Sequence, residues 1–485
     1  MTYFPKIGLE IHAELKTCSK MFCSCKNDPE EKRPNVNICP VCAGHPGTLP
    51  VANEEAVKKV IKTGLALNCS IAKESRFDRK NYFYPDLPKG YQISQYEQPL
   101  CFGGYLEVEG KSIRINRIHL EEDTGSLIHP EGTNYSLINF NRAGIPLMEL
   151  VTEPDIVSGR EARLFAEELQ QIFRYLDVCQ ADMEKGQMRI EVNISLSSKR
   201  EELGTKVEIK NLNSFKAVER AIEYEIQRQN KILESGKKII QETRGWDEER
   251  ELTFSQREKE KAHDYRYFPE PDLPPMIFNE EFIEAIRRTI PELPKQRRER
   301  LKAIYGLGRE MVEVFVKNKE FGDYFEEVAE NAKSWLKDIE EGGKKNFYKL
   351  ASNYLISDIQ GLLKGREFSR LDFKIRPLDF ADFIRMIWQD EISSKIAKMV
   401  LLEMFQEGKS PSLVIQERGL KQINNEEELE KVILEVISKN QKVVNDYLSG
   451  KESALQFLTG QVMAITKGRA HPQKVQELLK KRLKP

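Results

Sequence analysis

Lys6-Ile-Gly-Leu-Glu-Ile-His-Ala-Glu-Leu15 alternates strictly between apolar and polar residues. Ile7, Leu9, Ile11, Ala13 and Leu15 share one face, and Glu10, His12 and Glu14 share the other. A period of two predicts a strand with an apolar underside and a polar top. Side chains two residues apart on a strand stand roughly 7 Å apart, close enough for a carboxylate, an imidazole and a carboxylate to share a metal or a polar ligand. A solvated outer face would show the same alternation, so the weight falls on whether other segments repeat it.

They do. Met188-Arg-Ile-Glu-Val-Asn-Ile-Ser-Leu196 alternates over its whole length, and Val207-Glu-Ile-Lys-Asn-Leu-Asn-Ser-Phe215 offers Lys210, Asn211 and Asn213 over an apolar set. In Ile113-Arg-Ile-Asn-Arg-Ile-His-Leu-Glu-Glu-Asp123 the apolar phase switches between Ile115 and Ile118, as a bulge would cause. After the switch Arg117, His119, Glu121 and Asp123 share one face. Several strands with polar tops predict an antiparallel sheet with a polar concave surface. Amphipathic spacing predicts helices over 54–67, 160–176 and about 215–235.

Glu149 stands inside Ala143-Gly-Ile-Pro-Leu-Met-Glu-Leu-Val151, a run apolar on both faces. A lone buried carboxylate costs several kcal/mol, so Glu149 should bind metal or pair with a cation such as Arg142. The acids Glu121, Glu122 and Asp123 at a strand end fit either a bound cation or a turn in water. Phe77-Asp-Arg-Lys-Asn-Tyr-Phe-Tyr-Pro-Asp86 sets Arg79 and Lys80 beside Tyr82, Phe83 and Tyr84. Such a stretch could hold phosphates and stack a base, or form a half-buried edge strand with snorkelling cations. Gly103-Gly-Tyr-Leu-Glu-Val-Glu-Gly-Lys-Ser112 falls short of a phosphate-binding loop, with Tyr105 where glycine is needed, and Glu109-Gly110-Lys111 reads as a hairpin turn.

Eight cysteines in 485 residues suit metal ligands or core thiols better than a disulfide framework. Cys23-Ser-Cys25 and Cys39-Pro-Val-Cys42 form two close pairs that suit tetrahedral zinc, with reduced thiols as the alternative and Cys18 and His45 as spare ligands. Four protein ligands leave no open position, so no catalysis is expected there. With 76 basic and 77 acidic residues the net charge is −1, which argues against indiscriminate nucleic-acid coating. No apolar run approaches the ~20 residues of a membrane span and the start lacks a signal-peptide layout, so a cytoplasmic protein is expected. The 32% charged residues lean toward a heat-adapted source.

After the proline-dense Asp264-Tyr-Arg-Tyr-Phe-Pro-Glu-Pro-Asp272 the texture becomes helical from about 280. Gln406-Glu-Gly-Lys-Ser-Pro-Ser412 reads as a hinge. The end is basic: Lys467, Arg469, Lys474, Lys480, Lys481, Arg482 and Lys484 face a single acid, Glu477. Such a tail suits backbone binding to RNA, or simple solvation.

Together these motifs give the chain a close resemblance to the B-subunit family of the aspartyl/glutamyl-tRNA(Asn/Gln) amidotransferases. The likeness is carried by residues 7–17, 77–86, 119–123, Val151-Thr-Glu-Pro-Asp155, Lys210-Asn-Leu-Asn-Ser-Phe215, 264–272, Ser394-Lys-Ile-Ala-Lys398 and Gly460-Gln-Val-Met463, and covers essentially the whole chain. It implies an α+β fold: a cradle-like domain on an antiparallel sheet over 1–292, with a Cys-rich zinc loop at 18–42, an all-α domain over 293–408 and a tRNA-binding tail over 409–485. It also implies transfer of the ATP γ-phosphate to the side-chain carboxylate of Glu-tRNA(Gln) or Asp-tRNA(Asn), followed by attack of ammonia. By resemblance His12, Glu121 and Glu149 hold magnesium, an unusual task for histidine. Glu10, Glu122 and Asp123 are candidates for a second magnesium. Arg79, Lys80 and Tyr82 would meet phosphate or the acceptor end, and Lys210, Asn211 and Arg266 would line the cradle beside ATP. Cys23, Cys25, Cys39 and Cys42 match a zinc-binding version of the family. No Gly-Gly-Ser-Ser-Gly amidase signature is present, so ammonia would come from a separate amidase (the A component), clasped by a small C component in a heterotrimer. Two other readings compete: a non-catalytic tRNA-binding scaffold, and a carboxylate-amine ligase for a small metabolite.

Overall fold

The computed structural model describes residues 2–258, 265–420, 426–466, 469–470 and 472–483. It divides into two compact units, Met1–Pro294 and Lys295–Pro485. All strands among the described residues lie in the first unit. In chain order those used below are β1 (Phe4–Glu14), β2 (Ser70–Ile71), β3 (Asp78–Asn81), β4 (Tyr91–Ser94), β5 (Cys101–Phe102), β6 (Tyr105–Val108), β7 (Lys111–Glu122), β8 (Pro146–Thr152), β9 (Met188–Ser197), β10 (Val207–Leu212), β11 (Glu242–Asp247), β12 (Leu252–Glu258) and β13 (Phe268–Pro269).

Ten strands form one sheet in the order β12-β11-β10-β9-β1-β8-β7-β5-β2, with β6 added to β7. The quoted strand therefore lies inside the sheet, between β9 and β8. Its apolar residues Ile7, Leu9, Ile11 and Ala13 are at most 1% exposed. They join one core with residues of α1 (Glu54–Ala66), α2 (Gly159–Tyr175) and α3 (Phe215–Glu234), each helix capped by a side chain: Asn53, Ser158 and Ser214. Helices cover the apolar face and leave the polar face to build a site.

Two local features set which side chains reach that face. Thr152 pairs with Ile115 and Val151 with Arg117, so Asn116 is the extra residue of a bulge in β7. It keeps Ile113, Ile115, Ile118 and Leu120 in the core while turning Arg117, His119 and Glu121 to the polar side. Glu109 and Gly110, with φ of 48° and 82°, make the tight turn from β6 to β7, which removes the phosphate-loop reading. The sheet is not wholly antiparallel: β10 and β11 run parallel, because the chain returns through the 20-residue helix α3. β3 is no edge strand, since it sits between β13 and β4 in a small sheet of its own.

In the second unit the expected hinge is a tight turn. Gly408, left-handed at φ 72°, ends helix Ser394–Glu407, and Pro411 opens helix Pro411–Arg418, which packs on Ser394–Glu407 and Pro377–Trp388. A separate apolar cluster gathers Leu429, Ile433, Val436, Leu458, Val462, Val475 and Leu479. Helix Pro472–Leu483 buries Val475, Leu478, Leu479 and Leu483, and Arg482 pairs with Glu430 at 2.8 Å. Lys467 and Lys484 of the basic tail, and Asp264 of the proline-dense motif, lie outside the described residues.

Ile11→Ala should cost about 2–5 kcal/mol, since Ile11 is 1% exposed and its loss leaves a cavity in a packed core. Hydrogen exchange of the β1 and β9 amides should speed accordingly while amides of the second unit stay as they were. Unchanged exchange would contradict the packing described.

Candidate active site

The register of three adjacent strands brings the titratable groups together. His12 on β1 pairs across to Glu149 on β8, and Glu149 pairs across to His119 on β7, so the three stand in one row. Glu149 Oε2 lies 3.4 Å from His12 Nε2 and 3.3 Å from His119 Nε2. Glu121 closes the group, 3.7 Å from His12 Nε2 and 3.8 Å from His119 Nε2. Ser94 Oγ donates to Glu121 at 3.0 Å, and Arg117 stands 3.7 Å from Glu149. Glu149 is 6% exposed and Glu121 3%.

Charge in this space is balanced pairwise. Burial alone would push His12 down, but its hydrogen bond to Glu149 and the charges of Glu149, Glu121 and Glu10 lift it to about 9. His119 is raised against burial by Glu149 and Glu121. Burial works to raise Glu149, yet His119 and His12 hold it well below the usual carboxylate range. Burial raises Glu10 to about 7, with the Glu149 and Glu191 charges adding to it. Lys80 stays charged despite burial because it faces Glu121 and Glu149, and burial raises the neighbouring Tyr82 phenol.

The donor atoms fit a cation. Glu10, His12 and Glu149 can bring ligand atoms within 4.8 Å of one another, and so can His119, Glu121 and Glu149. Glu149 thus belongs to both sets. Carboxylate oxygens suit magnesium, while the two imidazoles would also admit manganese or zinc. A third set, Glu10, Glu191 and Glu208, lies beside them, with Lys210 2.7 Å from both oxygens of Glu191 and Thr243 donating to Glu208.

This geometry corrects part of the expected site. Glu122 alternates to the opposite side from Glu121, where Lys89 at 2.6 Å and the Ile93 amide hold it. Asp123 is bound by Arg189 at 2.6 Å and Arg142 at 3.4 Å. Neither joins the second set, and Arg142 pairs with Asp123 rather than Glu149. Arg79 is clamped by both oxygens of the buried Glu270 at 2.6 and 2.8 Å and stacks on Tyr91, so it fastens β3 to residues 268–272. Lys80, one residue on, faces the carboxylates. Asn211 is exposed at φ 64° in a bulge opposite Glu191, and exposed Arg266 accepts from Asn81 through its carbonyl. His119, Glu191 and Glu208 were missed. His119 was legible on the right face, but only cross-strand register shows that Glu149 lies between the two histidines.

Cys23, Cys25, Cys39 and Cys42 form a separate group whose sulfurs all lie within 4.8 Å, without Cys18 or His45. Cys25 and Cys39 are 4.0 and 3.9 Å from Cys42, close to the roughly 3.8 Å between thiolates around a tetrahedral zinc. A hydrogen bond from Cys23, then the Cys39 amide and the Lys20 charge, outweigh burial and bring Cys42 down to about 4. The wholly buried Lys20 stands 3.7 Å from that sulfur. This set can hold one structural zinc.

Two measurements test these sites. Metal analysis of the wild type should find one zinc, and Cys42→Ser should lose it and speed hydrogen exchange over residues 18–45 and, more weakly, over residues 138–145, which the loop braces. In metal-free protein, His12 at about 9 against 6.5 unfolded adds stability that is complete below pH 6.5 and lost as pH rises through 9. The melting temperature should therefore fall over that window, and manganese, which competes with the proton, should stabilise more strongly at its upper end. A melting temperature that stays flat would show that His12 is not held protonated.

The GatB/GatE catalytic domain matches residues 5–284 and the GatB domain matches residues 323–483. The chain is 47% identical to the B subunit of the aspartyl/glutamyl-tRNA(Asn/Gln) amidotransferase of Caldicellulosiruptor saccharolyticus, over 100% of this chain and 99% of the relative. Identity to the protein of the same name is 46% in Thermotoga maritima, over 100% and 99%. In Carboxydothermus hydrogenoformans it is 48%, over 99% of both chains. No helix among the described residues is long and apolar enough to cross a membrane. With its catalytic-domain match spanning the sheet that carries the His–Glu row, the chain belongs to the GatB/GatE family.

Proposed function

We infer that this chain is the B subunit of a tRNA-dependent amidotransferase and that its first unit activates the side-chain carboxylate of Glu-tRNA(Gln) or Asp-tRNA(Asn). The observation that carries this reading is the row His12–Glu149–His119 with Glu121 and Lys80: buried carboxylates with shared ligand geometry on the polar face of a sheet. The substrate carboxylate oxygen attacks the γ-phosphorus of ATP, the bond to ADP breaks, and an acyl phosphate results. Ammonia then attacks the acyl carbon, inorganic phosphate leaves, and a proton is lost to give the amide.

Such chemistry asks the protein for position and charge neutralisation more than for a nucleophile. Magnesium bound by Glu149, Glu121, His12 and Glu10 would neutralise phosphate charge. Lys80 presents a fixed ammonium beside those carboxylates. Tyr82, Lys210, Asn211 and Arg266 would be the candidate contacts for ATP. Arg79 would act through residues 268–272, which it anchors. Zinc at the four cysteines would be structural.

The partners on this reading are an amidase subunit that releases ammonia, a small clasping subunit and the misacylated tRNA. The second unit, with its basic last helix, would hold the tRNA body. The cytoplasm is the matching compartment.

Glu149→Gln keeps the shape and removes one charge. In the complete complex, ATP hydrolysis stimulated by Glu-tRNA(Gln) should fall by at least 100-fold while tRNA binding is retained. Glu121→Ala should do the same. Wild-type hydrolysis in both variants would favour the non-catalytic scaffold.

A further inference from the structure

Among the described residues of the first unit, one wholly buried cation has no carboxylate to pair with. Lys20 is 0% exposed, and no other lysine among the described residues is buried. Taking an ammonium out of water costs several kcal/mol unless an opposite charge stands beside it. Other inward cations follow that rule: Lys89, Arg189 and Lys210 each lie within 2.7 Å of a carboxylate oxygen. Glu122, which shares the space over Gly144 with Lys20, is taken by Lys89 at 2.6 Å. The Lys20 ammonium instead donates toward the Cys42 sulfur at 3.7 Å and to the Phe140 carbonyl at 3.2 Å.

Local structure aims it there. The Lys20 amide donates to the Cys25 carbonyl at 2.9 Å, and Asn53, the cap of α1, donates to the Lys20 carbonyl at 3.2 Å. The next amide, that of Met21, donates to Gly144 at 2.7 Å. Held on both sides, the backbone turns this side chain toward the cysteines and away from solvent. A divalent ion held by four thiolates leaves two negative charges in excess, here in a loop whose Cys42 is itself buried. Four neutral thiols would offer the ammonium only dipoles. The loaded cluster lacks a cation outside the ion and Lys20 lacks an anion, so each fits the other's need.

We propose that Lys20 is the fixed counter-ion of the metal-loaded cysteine cluster. It is a positioning residue: its charge raises zinc affinity, and its hydrogen bond to Phe140 ties the loaded loop to the approach to β8. The proposal rests on reading the four cysteines as a zinc site and is independent of activation. By reciprocity, whatever Lys20 adds to the binding of zinc, zinc adds to the hold on Lys20.

The test measures zinc affinity of the full chain by competition with a chromophoric chelator. Lys20→Met keeps the length and removes the charge, whereas Lys20→Gln removes the charge and keeps a donor for the Phe140 carbonyl. Both should weaken zinc binding by roughly 10–100-fold. Stripped of zinc, wild type and Lys20→Gln should melt within about 3 °C of each other, since a buried charge without its counter-charge adds little stability. Wild-type zinc affinity in Lys20→Met would overturn the proposal. Wild-type affinity in Lys20→Gln alone would overturn it by assigning the effect to the Phe140 hydrogen bond. A zinc-free Lys20→Gln melting far below zinc-free wild type would overturn it by making Lys20 a packing residue. If wild type itself bound no zinc, the zinc reading would fall and the counter-ion with it.

Discussion

Glu149 is a carboxylate buried in the middle of a sheet, and its neutralisation by two imidazoles is the constraint on which the site depends. Removing one partner from such an arrangement typically costs about 3–5 kcal/mol, because a charge is left without water or counter-charge. That cost ties the alignment of three strands to one another. His12 and His119 approach the same oxygen from opposite neighbours of β8, so a one-residue slip of β1 or β7 would send one imidazole into the core. The bulge at Asn116 is what allows β7 to keep its isoleucines inside and still deliver His119 and Glu121.

Around this row the chain spends many polar contacts on holding β8 and its approach. Residues 138–145, which lead into β8, are fastened to the cysteine loop. Asn141 accepts from the Val36 and Asn37 amides at 2.9 and 3.0 Å and donates to the Arg33 carbonyl, and the Met21 amide donates to Gly144. Lys20 reaches from Cys42 to the Phe140 carbonyl at 3.2 Å. Arg142 and Arg189 neutralise Asp123 at the end of β7, while Lys89 holds Glu122. The loop built on four cysteines thus buttresses the strand that carries Glu149 without contributing a group to the chemistry. This explains physically how a loop able to hold a metal can support the site from outside it.

Much of this was legible in the residues. Period-two alternation in 6–15 and 188–196 identified strands and their polar faces, because a sheet buried on one side forces every second residue to be apolar. Ile115 and Ile118 revealed the bulge, because only an inserted residue lets both be buried. The apolar neighbours of Glu149 showed that it is buried, and the spacing of Cys23, Cys25, Cys39 and Cys42 showed that they form one group. Other assignments failed for reasons of pairing. Glu122 and Asp123 sit beside Glu121 in the chain, yet alternation and two arginines take them elsewhere. Arg79 looked like a phosphate ligand until Glu270, nearly two hundred residues on, was found against it.

The sequence by itself therefore determined which segments are strands and helices, which face of each is buried, and which residue types face the polar side, since these follow from local periodicity and from the cost of burying charge. Only the tertiary structure decided which polar residues meet. Strand order and register bring His119 to Glu149, set Glu191 and Glu208 beside Glu10, and make β10 and β11 parallel through α3. These pairings join residues far apart in the chain, and their free energy depends on distance in space, which alternation along one strand does not encode.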